Sequence, residues 1–357
     1  MSTERRQKSE FTQIVKELHT HVKDDCFDVS ALHYWGDLLL SGLIGWGAFA
    51  FALTTANWVL FTAAMAVASV LLYRAVAFTH ELVHVSKTKL PGFHAGWHAV
   101  VGIPLLAPNF MYRQIHLDHH KKGHYSTKDD GEYLPFATSP VFEILAFLFS
   151  GLILPAMSLF RFSVLAPLSL LHPVIRKWVV VHASSIGVQM IFARNEPKKN
   201  ERREWLVYET ICSVVAITAL ALVATGAVSW WVLACWYMLV ALIVTLNAIR
   251  AVGCTHFYVH DKDIPISLRE QIEDSINVDS ESLVTLILCP VGTRYHCLHH
   301  LFPTLPYHSL QRAHRRLMQE LPETHFYRRY ELPNVWVAWK TVWPNASQGS
   351  RVASQLQ

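Results

Sequence analysis

Apolar positions along this chain are gathered into long blocks, and charged and histidine-rich stretches fill the intervals. Four blocks reach the ~20 residues that a helix needs to cross a bilayer core. They are residues 37–58, 59–78, 207–230 and 231–250. The first two meet in an uncharged turn near Thr54 to Asn57. The last two meet at Trp230 and Trp231, aromatic residues of the kind that settle at a membrane surface. The pattern predicts two helical hairpins. A fifth apolar block, 141–171, is interrupted by Pro155, Arg161 and Pro167 and is too short for two spans. A single crossing there would set the charged loops on opposite sides, so it is read as interfacial or re-entrant helices. Shorter apolar runs at 99–110 and 283–291 are expected to pack inside a polar cap.

Composition agrees with a membrane protein. Of 357 residues, 52% are hydrophobic and 16% charged, and the mean hydropathy is +0.24, high for a soluble domain of this length. The charged start has no short apolar core followed by a cleavage site, so the first span is expected to direct insertion. Lysines and arginines lie in the N-terminal segment, between the hairpins and after the second one, but not in the two short turns. That distribution places both termini and the middle segment in the cytoplasm. It also accounts for the net charge of +4 without nucleic acid. The six cysteines show no C-x-x-C spacing and suggest neither a disulfide framework nor a thiolate metal site. The expected organisation is a cytosolic segment (1–36), a membrane domain (37–330) whose cap comprises 79–140 and 251–330, and a C-terminal tail (331–357) with a disordered end.

Eight of the 21 histidines fall into three clusters outside the apolar cores: His80 and His84; His116, His119 and His120; His296, His299 and His300. On helices, spacings of three and four residues gather such side chains on one face. The first cluster, with Glu81, reads in isolation as the H-E-x-x-H helix of a zinc protease. However, a single zinc is normally tetrahedral, and eight imidazoles exceed what it takes, so two metals are implied. Imidazole spacing alone does not choose among iron, copper, zinc and nickel. The two-hairpin topology returns all three clusters to one side of the membrane. A metal transporter would place ionisable groups inside its spans, whereas apart from Arg74 these carry almost none.

The set H-x-x-x-H, H-x-x-H-H and H-x-x-H-H resembles the three histidine boxes of the membrane-bound fatty acid desaturases. The surrounding "HLDHHKKGHYSTKDDGEY" and "RYHCLHHLFPTLPYHSLQRAH" resemble the second and third boxes, and the resemblance covers roughly residues 35–320. It implies an all-α integral membrane protein with four transmembrane helices, interfacial helices and a cytosolic cap holding a di-iron site. It further implies an O2-dependent desaturase acting on an acyl lipid or acyl thioester, with electrons from an external ferredoxin or cytochrome b5 type donor. The eight box histidines would be the ligands of two iron ions. A further ligand after the fourth span would be His256, with His260 the less favoured choice. Asp118, Asp130 and Glu132 would orient imidazoles from behind, and Glu81 would be a helix-surface or supporting carboxylate. Acyl, alkane or carotenoid hydroxylases and ketolases use the same kind of centre and form the alternative; an intramembrane zinc protease is more distant.

Overall fold

The computed structural model describes residues 3–121, 123–189, 192–260 and 266–343. The expected disordered end, with Asn345, lies outside them. The chain begins with α1 (Thr3–Val22), α2 (Ala31–Thr54), α3 (Trp58–His84), α4 (Phe93–Trp97) and α5 (Phe110–His119). There follow α6 (Val141–Leu148), α7 (Leu154–Phe160), α8 (Ala166–Ser169), α9 (Pro173–His182), α10 (Arg202–Ala224) and α11 (Trp230–Cys254). The C-terminal part contains α12 (Leu268–Glu273), α13 (Leu283–Leu288), α14 (His296–Leu301), α15 (Tyr307–Glu320) and α16 (Val335–Val342). Among the described residues, extended pairing is confined to Asn277–Val278 beside Glu331–Leu332 and two isolated bridges.

Four helices, α2, α3, α10 and α11, are long and apolar enough to cross a membrane. Local chemistry sets their ends. The Asn57 side chain accepts from the backbone N–H of Val59 and Leu60 and so caps α3. At the second hairpin α10 stops at Ala224, and Gly226 follows at φ +74°, the left-handed position that commonly ends a helix. Ser229 then caps α11. The turn therefore spans 225–229, earlier than the Trp230/Trp231 junction expected from hydropathy, because the glycine ends the helix while apolar side chains continue past it. Likewise α3 does not stop at residue 78. It continues to His84, so the first histidine cluster occupies the last turn of a spanning helix.

The apolar block that follows residue 140 forms a bent path, with a 52° change of direction between 141–152 and 154–169. Ile144 and Phe147 pack near Ala248, Ala251 and Val252 at the C-terminal end of α11. Gly151 abuts Ala241 and Thr245 halfway along that helix, where Tyr237 also donates to the Leu152 carbonyl. On the way back Phe162 packs with Cys212 and Ala216 of α10, and Arg161 pairs with Glu209. The chain thus descends to the middle of α11 and returns to the end carrying the histidines.

The spans hold more charge than the sequence reading allowed. Asp37 of α2 pairs with Arg74 of α3, and Glu209 of α10 is shared by Arg161 and Arg176. Each charge has a partner, without which burial would be costly. Above the helices, α1, α12, α14 and α15 surround a core that includes Cys254, Ile276, Cys297, Leu298 and Tyr327. All six cysteines are buried free thiols.

A Cβ on Gly151 would sit 2.5 Å from Thr245 Oγ1 and 2.8 Å from the Ala241 carbonyl oxygen. Gly151→Val is accordingly expected to destabilise the protein by about 1–3 kcal/mol through overpacking. Thermal unfolding in detergent checks this; an unchanged Tm would show that the bend does not press on α11.

Candidate metal centre

The three clusters converge because neighbouring segments tie their helices together. The Asn109 side-chain amide, at the start of α5, donates to the carbonyl and hydroxyl of Thr79, one residue before His80. Gln271 of α12 donates to the His119 carbonyl. At the start of α14, Asn277 Oδ1 accepts the otherwise unpaired N–H of Leu298, and the Ile276 carbonyl accepts that of His296. His256 arrives just beyond the end of α11.

The result is two adjoining sets of imidazoles. His80, His84, His116 and His299 form one, and His119, His256, His296 and His300 the other; within each set the potential ligand atoms lie within 4.8 Å of one another. His120 joins the first set, its Nε2 standing 3.1 Å from that of His116 and 3.0 Å from that of His299. Its ring is also 4.5 Å from that of His300, where the sets meet. The other close Nε2 pairs are His84 with His116 at 2.8 Å, His80 with His299 at 3.0 Å, His256 with His296 at 3.0 Å, and His296 with His300 at 3.1 Å.

At His116, His119 and His256 the opposite ring nitrogen faces an acceptor, whereas His300 Nδ1 lies 3.1 Å from the amide nitrogen of Gln271, a donor. His116 Nδ1 lies 2.6 Å from Glu132, and His119 Nδ1 lies 2.9 Å from Asp130, which is fully buried. His256 Nδ1 is 2.8 Å from Tyr125 Oη, whose proton goes to Asp274 at 2.7 Å. A proton held on Nδ1 by these acceptors leaves the lone pair on Nε2, directed inward. Glu81 is buried; it accepts from Tyr34 and from the Tyr307 backbone N–H, and stands 3.4 Å from His80 Nδ1. Asp118 takes a different place, bonding Gln114 and Lys121 and no imidazole.

Burial drives the pKa of His116, His120, His256, His296, His299 and His300 well below the usual value, and neighbouring imidazoles push the same way. At His119 burial also pulls downward, but the Asp130 and Glu132 charges outweigh it and the pKa is raised. The interior therefore consists mainly of neutral imidazoles whose inner nitrogens stand about 3 Å apart, and where two of them present lone pairs to each other they repel unless a cation lies between them. Nitrogen donors with carboxylates behind them suit a first-row transition metal, and a set of five donors beside a set of four suits two ions. His260 donates its backbone N–H to Tyr133 and belongs to neither set. His98, His308 and His314 also lie outside them, stacked on or bonded to Tyr208, His33 and Tyr327.

The sequence reading did not single out Tyr125, Gln271 or Asp274. Tyr125 lies within the quoted second-box stretch, but nothing in the local pattern of Gln271 or Asp274 ties either to a histidine.

An apolar four-helix assembly with two histidine sets at one end is the arrangement of a membrane protein that could hold metal ions. The family model for fatty acid desaturases matches residues 53–331, and the chain belongs to that family. It is an oxygen-dependent oxidoreductase of a family that typically carries two irons. It is 34% identical over 315 residues to a ceramide hydroxylase of Caulobacter vibrioides (strain NA1000 / CB15N), covering 88% of this chain and 89% of that one.

If Asp130 orients His119, Asp130→Asn should lower metal affinity by about 10- to 100-fold, whereas Asp118→Asn should leave it unchanged. Iron content of the purified variants after equilibration at limiting iron reads both; equal losses would show that the two aspartates do not differ in this role.

Proposed function

We propose that this chain hydroxylates the hydrocarbon part of a ceramide-like lipid, using two irons, O2 and electrons from an external ferredoxin or cytochrome b5 type donor. The adjoining histidine sets support the oxidative chemistry, and the similarity to a ceramide hydroxylase over most of both chains carries the choice of substrate and outcome. Desaturation of an acyl chain is the second reading, favoured by the family description and the three boxes. The lysine and arginine distribution supports a cytoplasmic site.

Bound iron would supply the oxidising power that a C–H bond with no adjacent acidic or leaving group requires, which side-chain acid–base chemistry cannot provide. His80, His84, His116, His120 and His299 would hold one ion, and His119, His256, His296 and His300 the other. Asp130, Glu132 and the Tyr125–Asp274 pair fix imidazole tautomers by accepting the Nδ1 protons. Glu81 secures the end of α3 to α2 and α15 through Tyr34 and Tyr307. The packed helices keep the lipid chain in place and limit water at the reacting carbon. Overall, hydroxylation consumes one O2, two electrons and two protons and yields the alcohol and one water; desaturation yields the alkene and two waters.

Expression in a host of known lipid profile, with His116→Ala as control, tests this by mass spectrometry. Hydroxylation predicts ceramides that gain one oxygen atom, absent from the variant. Acyl chains that lose two hydrogens would instead establish desaturation, and an unchanged lipid profile in the metal-loaded protein supplied with donor would overturn both.

A further inference from the structure

One cavity reaches the first histidine set from outside. It has a volume of 410 Å³, and its wall includes His84, residues Leu82 to Lys87 at the end of α3, and Trp205 and Tyr208 in the first turns of α10. The histidines are not equally enclosed: His80 and His84 are partly exposed, whereas His119, His256, His296 and His300 are buried. Beside the cavity, Leu206 and Val207 of α10 turn outward, 45% and 47% exposed on a helix apolar enough to span a membrane. The opening therefore adjoins the surface that lipid chains would cover, at the level where apolar helix gives way to polar cap.

The cavity's charges are already engaged. Lys87 Nζ lies 2.7 and 2.6 Å from the two Glu204 carboxylate oxygens, and Arg113 pairs with Glu201 at 2.9 Å. Arg194 is 5% exposed, donates to the carbonyls of Phe110 and Ser184, and stacks at 4.6 Å over Trp205. No cation in the wall stands without a partner to meet a phosphate, and two carboxylates would repel one. Burial lowers the pKa of His94 and of His98, the latter to about 4, so neither adds positive charge near neutrality. Uncharged polar groups complete the wall: Asn200, Gln114 and the Tyr208 hydroxyl.

Resting on the reading of the chain as a lipid hydroxylase, we propose that this cavity seats the uncharged amide and hydroxyl head of a ceramide-type lipid. The pairs Lys87–Glu204 and Arg113–Glu201 turn away phosphate-bearing heads and carriers. The lipid approaches sideways from the bilayer past α10, its head enters between α3 and α10, and its chain lies toward His84. Selection works through the wall itself, since a thioester carrier brings several phosphates and finds no unpaired cation among the residues that line the cavity.

The test compares a short-chain ceramide with the matching acyl-CoA, as ligands of the full chain in detergent and as substrates when metal and donor are supplied. The wild type should bind the ceramide more tightly by on the order of tenfold or more. Asn200→Trp fills the rim at an exposed position and should weaken ceramide binding about tenfold, with Tm and iron content unchanged; Asn200→Ala should not. Glu201→Gln with Glu204→Gln leaves Lys87 and Arg113 uncompensated and should shift the preference toward the acyl-CoA by about tenfold. Tighter binding of acyl-CoA by the wild type, or ceramide binding indifferent to Asn200→Trp, would overturn the proposal. Oxidised product from acyl-CoA but not ceramide would remove the head-group assignment and leave lipid oxidation standing. Ceramide bound in the cavity without any product would remove the oxidation reading instead.

Discussion

Nine imidazoles, most of them buried and neutral, meet with inward nitrogens about 3 Å apart, and much of the cap follows from that constraint. Facing lone pairs repel, and burial makes the alternative of protonation expensive. A positive ion between them removes the conflict, but only if each ring presents the correct nitrogen. That is why Asp130, Glu132 and the Tyr125–Asp274 pair lie behind the rings, at the Nδ1 positions of His119, His116 and His256. These acceptors need buried places of their own, and α12 and the loop after α5 provide them. The centre is thus a layered object, with nitrogens inside, acceptors next, and then backbone ties such as Asn277 to Leu298 that hold the helix starts.

Helical geometry explains why the H-x-x-H-H pattern occurs twice. Successive residues turn by about 100°, so positions i and i+4 differ by about 40°, whereas i+3 and i+4 differ by about 100°. On α5, His116 and its i+4 partner His120 therefore turn to the first set, and His119 turns to the second. On α14, His296 and His300 turn to the second set and His299 to the first. Each helix gives a pair to one set and a single ring to the other, which locks the sets side by side. With α3 adding His80 and His84 to the first, His256 fills the corresponding vacancy in the second.

The spans were legible because sustained hydropathy is a strong signal, and the eight box histidines because their spacing repeats. The helix ends were less so: Gly226 ends α10 while the apolar pattern runs on, and α3 carries His80 and His84 on a turn whose polarity looks like a loop. Glu209 and Asp37 appeared within apolar stretches without any indication of which cations, Arg161, Arg176 and Arg74, would neutralise them. Gln271 and Asp274 were invisible as supporting residues, since they reach the histidines only when α12 packs beside α14. A histidine's spacing is a local property, whereas its hydrogen-bond acceptor is chosen by tertiary contact.

The same contrast separates chemistry from specificity in this fold. Histidine positions determine that metals could be held, and the chain carrying them matches both the fatty acid desaturase family and a ceramide hydroxylase. What distinguishes substrates has to touch the substrate, and the second set is sealed while the first opens at His84 into the cavity between α3 and α10. The cavity wall there is drawn mainly from the end of α3, the start of α5, the start of α10 and the loop before α10. Changing a charge pair such as Lys87–Glu204 would, on the proposed head-group site, alter which head can rest at the opening without moving any imidazole. A head seated there would fix which carbon lies beside the histidine sets, because a lipid chain held at one end reaches the centre at a set distance. On the proposed head-group site, selection of the reacting carbon would belong to the charged rim, and metals held by the histidines would supply the capacity to oxidise whatever that rim presents.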